Sequence, residues 1–292
     1  MQPEAFFLPA LAAQTSQSDQ RFCLFYRAEC DASGGAARGL VLYIHPFAEE
    51  MNKARRMAAL QARALARAGY AVLQMDLLGC GDSSGDFGDA SWQSWVNDVV
   101  QGGEWLRKQS NTPGANSGQL PLWLWGLRAG CLLAVEAARQ LGAPSNFLFW
   151  QPPAAGKPLL QQFLRLKVAG ELLGGQAKGV MEGMREQLAN GSPVEIAGYL
   201  LSPGLASGLE QAALLPPADQ GPTQRLEWFE LSTREDAGLS PISAKTIAQW
   251  QQAGYRVGSH IVRGPAFWQT TEIEDAPALI TATTAALVNT SA

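Results

Sequence analysis

The sequence has few of the side chains on which common enzyme chemistries depend. Its 292 residues include only 2 histidines and 4 cysteines. Cys23, Cys30, Cys80 and Cys131 show neither a CxxC pair nor the spacing of a metal site. We therefore expect reduced thiols, as in a cytoplasmic protein, and neither a metal ion nor a cofactor.

Charged residues and long apolar segments are also scarce. Charged residues make up 16% of the chain and the net charge is −4, so the basic surface that nucleic-acid-binding proteins use is missing. The first residues, MQPEAFF, lack the charged and long apolar regions of a secretory signal. No apolar run approaches the roughly 18–20 residues that cross a bilayer. These absences predict a cytoplasmic protein without a membrane span that does not bind nucleic acid.

Apolar residues are plentiful, at 47% of the chain, and they are organised in a regular alternation. Runs of strand length at 39–45, 70–76, 120–125 and 146–151 are separated by helical patterns. An earlier run at 21–28 fits an antiparallel edge strand. Alternating strands and helices with right-handed crossovers predict an α/β protein with a mostly parallel central sheet flanked by helices.

The alternation stops at Pro152. From there to about residue 222 the chain is rich in Gly, Pro and Gln, with amphipathic helical segments at 159–173 and 180–188 and no strand of the core type. We interpret this region as an inserted helical cap. The predicted units are a core of residues 1–151 and 223–292 and a cap of residues 152–222.

Residues 120–131, LPLWLWGLRAGC, form the most informative segment. An apolar run, a turn from Gly126 to Gly130 (the elbow) and an Ala-rich helical segment predict a strand, a sharp turn and a helix, the outline of a nucleophile elbow. Arg128 occupies the position where a serine is expected. Its guanidinium stays protonated, so it cannot be an ordinary nucleophile. The guanidinium and the positive end of the helix would lie together, so we expect an anion beside them. That anion is either a protein carboxylate or a ligand carboxylate or phosphate.

Three motifs together resemble the α/β-hydrolase superfamily over nearly the whole chain. His45-Pro46-Phe47 follows the third strand, where oxyanion-hole loops of these enzymes begin. Residues 76–83, DLLGCGDS, match the D-x-x-G-x-G-x-S loop of the superfamily, and the elbow is the third motif. The resemblance implies the α/β-hydrolase fold, with the cap between the sixth and seventh core strands.

A bacterial subgroup is more similar still. Residues 45–87, together with WGLRAG at 125–130 and GPAFWQ at 264–269, resemble the second hydrolase-like family associated with exosortase A systems. Members are encoded beside genes for exopolysaccharide and for PEP-CTERM protein sorting. The resemblance implies this setting and a functional link to that machinery, but it brings no settled substrate, partner or oligomeric state.

Two of the three positions of the superfamily triad are altered, the serine position at Arg128 and the histidine position. The acid position, after the strand at 225–231, is matched by Glu235 or Asp236, although loop charges there can also be simply solvated. The histidine position holds Phe267 or Trp268, and His260 falls inside the last strand. The resemblance therefore implies a degenerate catalytic triad.

The polar segment 45–53 allows two interpretations. In the first, Glu49 or Glu50 acts as a general base, assisted by His45, which requires a carboxylate of raised pKa or a positioned water. In the second, the segment is a hydrogen-bonded loop whose acids decorate a helix N-terminus. Arg128 would then form an ion pair with Glu49, Glu50 or an acid near Glu235.

These observations favour a pocket under the cap, floored by Arg128, Glu49 and Glu50, that binds an anionic or acyl-bearing small molecule. One alternative is a hydrolase or acyltransferase for esters or thioesters that uses a non-serine mechanism. Another is a non-catalytic interaction protein. The expected lining residues are Phe47, Leu127, Phe267 and Trp268.

Overall fold

The structure is a computed structural model that describes residues 2–10, 19–29, 37–110, 120–173, 179–218 and 223–289. Cys30 and most of the predicted loops at 31–38 and 109–119 lie outside these ranges. The strands are β1 (Glu4–Pro9), β2 (Gln20–Tyr26), β3 (Gly39–Ile44), β4 (Tyr70–Met75), β5 (Leu122–Leu127), β6 (Ser145–Trp150), β7 (Val194–Ile196), β8 (Tyr199–Leu201), β9 (Arg225–Ser232) and β10 (Arg256–Arg263). The helices are α1 (Glu49–Arg67), α2 (Trp92–Ser110), α3 (Ala129–Gln140), α4 (Lys157–Leu173), α5 (Val180–Ala189), α6 (Pro203–Gln211), α7 (Pro241–Gln252) and α8 (Pro277–Val288), with a short 3-10 turn at Phe87–Asp89.

Eight strands form the central sheet, in the order β1-β2-β4-β3-β5-β6-β9-β10. Six of these strands, β4-β3-β5-β6-β9-β10 in sheet order, run parallel to one another. Strands β1 and β2 add an antiparallel edge, since β1 pairs antiparallel with β2 and β2 with β4. The mostly parallel sheet with an antiparallel N-terminal edge is thus confirmed.

Both faces of the sheet are covered by helices. Every residue of β3 and β5 is buried, which is characteristic of parallel strands packed on both sides. Alternate residues of β3 belong to different cores: Leu42 packs on one face and Val41 on the other. Helices α2 and α3 pack together, as do α1 and α8. Within the described ranges, no helix is long and apolar enough to cross a membrane.

Helix α1 begins earlier than the sequence suggested. The sequence analysis treated residues 45–53 as one polar segment, but the helix already begins within it, at Glu49. Two acids in the first turn are favourable there because the helix N-terminus carries partial positive charge. Glu49 and Glu50 are therefore held on a regular helix, directly after β3, and not on a loop.

The region between β6 and β9 contains helices α4, α5 and α6 and a two-stranded hairpin of β7 and β8. The sequence analysis missed the hairpin because its strands have three residues each, too few to show alternation. It also missed α6. There Ser202 accepts a hydrogen bond from the Leu205 N–H and Pro203 begins the helix, a start signal that the sequence does contain.

Candidate functional site

The predicted strand–turn–helix is present, with Arg128 at its apex. Arg128 joins β5 to α3 with φ 54° and ψ −118°, a backbone conformation that residues other than glycine rarely adopt. A Cβ on Gly126 would lie 2.5 Å from the Cys131 nitrogen, and one on Gly130 would lie 2.2 Å from the Ile44 carbonyl oxygen. Both glycines are needed because α3 begins in direct contact with the strand ends.

The side chain of Arg128 forms an ion pair with Glu50. Its Nη2 and Nε lie 3.1 and 3.2 Å from Glu50 Oε1. Nη2 also donates to Gln162 Oε1 of α4 at 2.9 Å. The Trp268 ring covers the guanidinium, with its centroid 5.8 Å from Cζ. The two paired side chains are 13% and 9% exposed, so the charges are largely removed from water.

The environment of Glu50 opposes its ionisation in part. Burial raises the pKa of Glu50, and this effect outweighs the charge and hydrogen bonds of Arg128, which lower it. Gln269 Nε2 adds a weaker contact, 3.4 Å from Glu50 Oε1. The Glu50 carboxyl can therefore take up a proton at a higher pH than an exposed glutamate.

Glu49 is half-buried, and its Oε2 atom is fully enclosed with no hydrogen-bond partner among the described residues. Burial raises the pKa of Glu49, and the charge of Glu50 adds to that rise. Its own backbone N–H, Lys53 and Arg128 act in the opposite direction. A buried acceptor without a donor is uncommon in folded proteins, so this oxygen calls for a water or a ligand donor.

A small cavity separates the elbow from the cap, with a volume of about 20 Å³. A space of roughly 10–15 Å³ already admits one water molecule, so this cavity has room for a water molecule but not for an acyl chain. Helix α4 thus rests almost directly on the elbow. The lining residues are Phe47, Glu49, Glu50, Arg128, Leu159, Gln162 and Phe163.

His45 cannot assist Glu49 or Glu50 in proton transfer, because both of its ring nitrogens are already hydrogen-bonded. It is buried, and its Nδ1 donates to the Pro46 carbonyl at 2.8 Å. Its Nε2 accepts from the Leu77 N–H at 3.3 Å. Burial lowers the pKa of His45, which favours the neutral ring. With both nitrogens engaged, His45 anchors the loop after β4 instead of transferring protons.

The acids after β9 are also away from Arg128. Glu235 and Asp236 are exposed, and Glu235 pairs with Arg263 at 2.9 Å. Neither lines the cavity at the elbow. The carboxylate that faces Arg128 comes from the first turn of α1 instead.

The segment at the superfamily's histidine position packs as core. Phe267 and Trp268 are buried, and Phe267 meets the Trp150 ring edge to face at 6.0 Å. The next residue, Gln269, contacts Glu50 and was missed although it belongs to the GPAFWQ motif. Gln162 was missed because nothing in the sequence shows which side of a cap helix faces the elbow. Leu127 is fully buried in the sheet and does not line the cavity.

Two further groups have structural roles. His260, in β10, lies 2.8 Å from Glu227 Oε2 and stacks on Phe229. Cys131 is fully buried and burial raises its pKa, so the thiol is unreactive. In the part of the chain that the structure describes, no three His, Cys, Asp or Glu side chains are grouped to hold a metal ion.

Residues 35–173, less than half of the chain, match a family model named Hydrolase_4, described as serine aminopeptidase, S33. No curated protein matches the sequence. Several solved structures are similar in fold. An α/β serine hydrolase without a lid from Xanthomonas campestris has a TM-score of 0.55 at 14% identity, covering 100% of this chain and 98% of that one.

Two further solved structures are at least as similar. Est1E of Butyrivibrio proteoclasticus, solved with ferulic acid, has a TM-score of 0.60 at 15% identity, with 92% and 93% of the two chains covered. A soluble variant of monoglyceride lipase from Saccharomyces cerevisiae, with a substrate analogue, has a TM-score of 0.59 at 14% identity, with 99% and 96% covered. At such identities the similarity establishes the fold and leaves the reaction to be argued from the site.

Proposed function

We propose that this protein, whose fold is that of the α/β-hydrolases, has a degenerate triad and binds an anionic or acyl-bearing small molecule between the elbow and the cap. The observation that carries the proposal is the guanidinium of Arg128, held at the cavity by Glu50 at the apex of an otherwise intact elbow. A charged side chain that suits anion binding occupies the serine position, and Phe267 or Trp268 occupies the histidine position.

The elbow offers more than one donor to such an anion. Ala129 is the first residue of α3, so its N–H has no partner within the helix and lies at the positive end of the helix dipole. A ligand carboxylate or phosphate that competes with Glu50 for Arg128 leaves Glu50 to take up a proton. Because the pKa of Glu50 is already raised, this exchange is easier than at an exposed glutamate. Anion binding is therefore expected to tighten as the pH falls.

The apolar part of the ligand would lie against the cap. Phe47 meets Phe163 of α4 edge to face at 5.1 Å, and Leu159 lines the same space. Since the cavity has room for only one water molecule, α4 must move for an acyl chain to enter. The hydrogen bond from Arg128 to Gln162 is the polar contact that has to be released.

Titration calorimetry with octanoate, octyl phosphate and octanol tests this proposal. We expect the two anions to bind and octanol to bind more weakly. Arg128→Gln should weaken anion binding by about 10-fold or more, as for a charge-assisted hydrogen bond. The matched control is Arg56→Gln, an exposed arginine of α1 that pairs with Asp275. Equal binding of octanol and octanoate, or no effect of Arg128→Gln, would contradict the proposal.

A second candidate function is hydrolysis of esters or thioesters by a carboxylate-activated water. The enclosed, unpartnered Oε2 of Glu49 beside a water-sized cavity favours it, since a raised pKa suits a general base. The test compares wild type, Glu49→Gln and Arg128→Ala on p-nitrophenyl octanoate and an octanoyl thioester. Turnover lost in Glu49→Gln would establish this mechanism, whereas equal traces in all three proteins would rule it out.

We place the protein in the cytoplasm, in the setting of exosortase and exopolysaccharide systems. Segments 45–87 and 264–269, which support this resemblance, also supply Glu50, Trp268 and Gln269 of the site. We expect deletion of the gene to impair exopolysaccharide production or PEP-CTERM protein sorting, and Arg128→Gln to fail to restore it. Full restoration by Arg128→Gln would separate the elbow from that role.

A further inference from the structure

A second, larger cavity lies between α1 and the strands β2, β3 and β4. Its volume is about 170 Å³, and it shares no lining residue with the cavity at the elbow. Most of its wall is apolar. The apolar lining residues are Phe22, Leu24, Met51, Ala58, Ala59 and Met75.

Small side chains of α1 leave this space open. Ala58 and Ala59 face it from the helix, opposite Leu24 of β2 and Gln74 of β4. Methyl groups at two successive positions cannot fill the gap between a helix and a sheet, which larger side chains occupy elsewhere along α1, as Leu65 does. The cavity therefore follows from the sequence of α1 and not from a loop.

Tyr43 supplies a polar group that points to a ligand. The residue is only 6% exposed and lines the cavity. Burial raises the pKa of its hydroxyl, which therefore stays protonated and can donate a hydrogen bond. Several other polar atoms of the wall are already engaged. Both nitrogens of His45 are bonded, and Gln74 Oε1 accepts from the Tyr26 hydroxyl at 3.2 Å. A hydroxyl in the wall of a cavity can form a hydrogen bond with a polar atom of a bound molecule.

Charges at the cavity balance each other. Arg55 Nη2 lies 2.8 Å from Asp76 Oδ2, and the two side chains are 41% and 10% exposed. Asp76 also accepts from the Asp82 N–H at 3.1 Å. Because the two charges are opposite and paired, the site has no net charge with which to hold an ion. This balance favours a neutral ligand.

We propose that this cavity is a binding site for a neutral molecule about the size of one aromatic ring, with a single hydroxyl or carbonyl group that hydrogen-bonds to Tyr43. The size agrees with experience in other proteins, where an apolar cavity of about 150 Å³ binds benzene. The Tyr43 hydroxyl then selects for an oxygen atom on the ligand, and the Arg55–Asp76 pair closes one side without selecting for charge.

Phenol is the probe, with benzoate as its charged counterpart, and binding is followed by calorimetry and by amide chemical shifts. We expect saturable phenol binding and at least 10-fold weaker benzoate binding. Tyr43→Phe should weaken phenol binding about five-fold, the size of one neutral hydrogen bond. Tyr70→Phe is the control, because the Tyr70 hydroxyl on the same face is already bonded to the Leu287 carbonyl.

A second variant fills the space without touching the polar group. Ala59→Met should abolish phenol binding, whereas Ala64→Met on the same helix, away from the cavity, should not. Octanoate, the probe for the elbow, should not displace phenol, which separates this site from the elbow. The proposal is overturned if phenol does not saturate the wild type up to its solubility limit. It is also overturned if Ala59→Met binds phenol as the wild type does, since phenol would then bind outside this cavity.

Discussion

Replacing a serine by an arginine at the elbow changes what the neighbouring residues must provide. A hydroxyl can be buried with one hydrogen bond, whereas a guanidinium that is 13% exposed needs an opposite charge and several acceptors. Glu50 supplies the charge, and Gln162 supplies a further acceptor. The residues around Arg128 thus form a consistent set for a buried cation, and a serine at position 128 would leave the charge of Glu50 uncompensated.

Removal of Glu50 should be strongly destabilising. Glu50→Leu leaves the guanidinium buried without its counter-charge, and breaking such a pair costs about 3–5 kcal/mol. The other single variant is Arg128→Leu. The double variant Glu50→Leu, Arg128→Leu removes both charges and should recover most of that loss. Urea unfolding of the two single variants and the double variant gives the coupling energy. Additive effects would show that the two side chains do not stabilise each other.

Glu49 should make the stability depend on pH. Its pKa is raised from a usual 4.5, so the folded protein holds the proton more tightly than the unfolded chain does. The stabilisation from that proton is fully present below about pH 4.5 and is lost as the pH rises through the folded-state value. Glu49→Gln should therefore be more stable than wild type at pH 7, with a smaller difference at pH 4.5. Melting curves across this range test it, with the exposed Glu186→Gln as control.

At the scale of elements, the elbow depends on glycines that allow a strand, a turn and a helix to meet. Gly130→Ala places a methyl group 2.2 Å from the backbone oxygen of Ile44, which cannot move independently of β3. We expect a loss of stability of about 3 kcal/mol or more, at the upper end for overpacking. Gly142→Ala, just after α3, has no atom within 4 Å and is the matched control. Similar melting temperatures for the two variants would show that β3 and α3 can separate.

The sequence predicted most of the elements because buried parallel strands are continuous apolar runs and helices have clear ends. Helix α1, for example, ends before Gly69, which has φ 90° and is the expected stop signal. The start of α1 was placed late because Glu49 and Glu50 look like loop residues until the helix dipole is considered. The short strands β7 and β8 were missed because three residues carry too little pattern.

The site was harder to predict than the fold because its contacts join segments far apart in sequence. Arg128 and the two glutamates were selected from the elbow and from the residues after β3. Which of several carboxylates pairs with Arg128 depends on distances in the folded protein, and the spacing of residues in the sequence does not give them. Gln162 lies 34 residues beyond Arg128, and Gln269 lies 219 residues from Glu50. Such contacts follow from the packing of the cap and of the segment after β10.

At the scale of the whole molecule, the placement of two histidines decides which chemistry is open to the elbow. The chain has no others. His45 is hydrogen-bonded to the Pro46 carbonyl and to the Leu77 N–H, and His260 in β10 is hydrogen-bonded to Glu227. Neither lines the cavity at Arg128. The fold therefore presents an elbow without an imidazole to activate a nucleophile placed there.

This arrangement predicts that a serine at the elbow is not sufficient for serine-hydrolase chemistry. Arg128→Ser, combined with Glu50→Gln so that no buried charge remains unpaired, should not react with a fluorophosphonate probe, because no base can accept the hydroxyl proton. Wild type should not react either, and a serine esterase serves as the positive control. Labelling is read by intact-protein mass spectrometry after melting curves show that the variant is folded. If the double variant is labelled at the new serine, another group must act as the base. Glu49, with its raised pKa and its enclosed oxygen without a hydrogen-bond partner among the described residues, would be the first to replace.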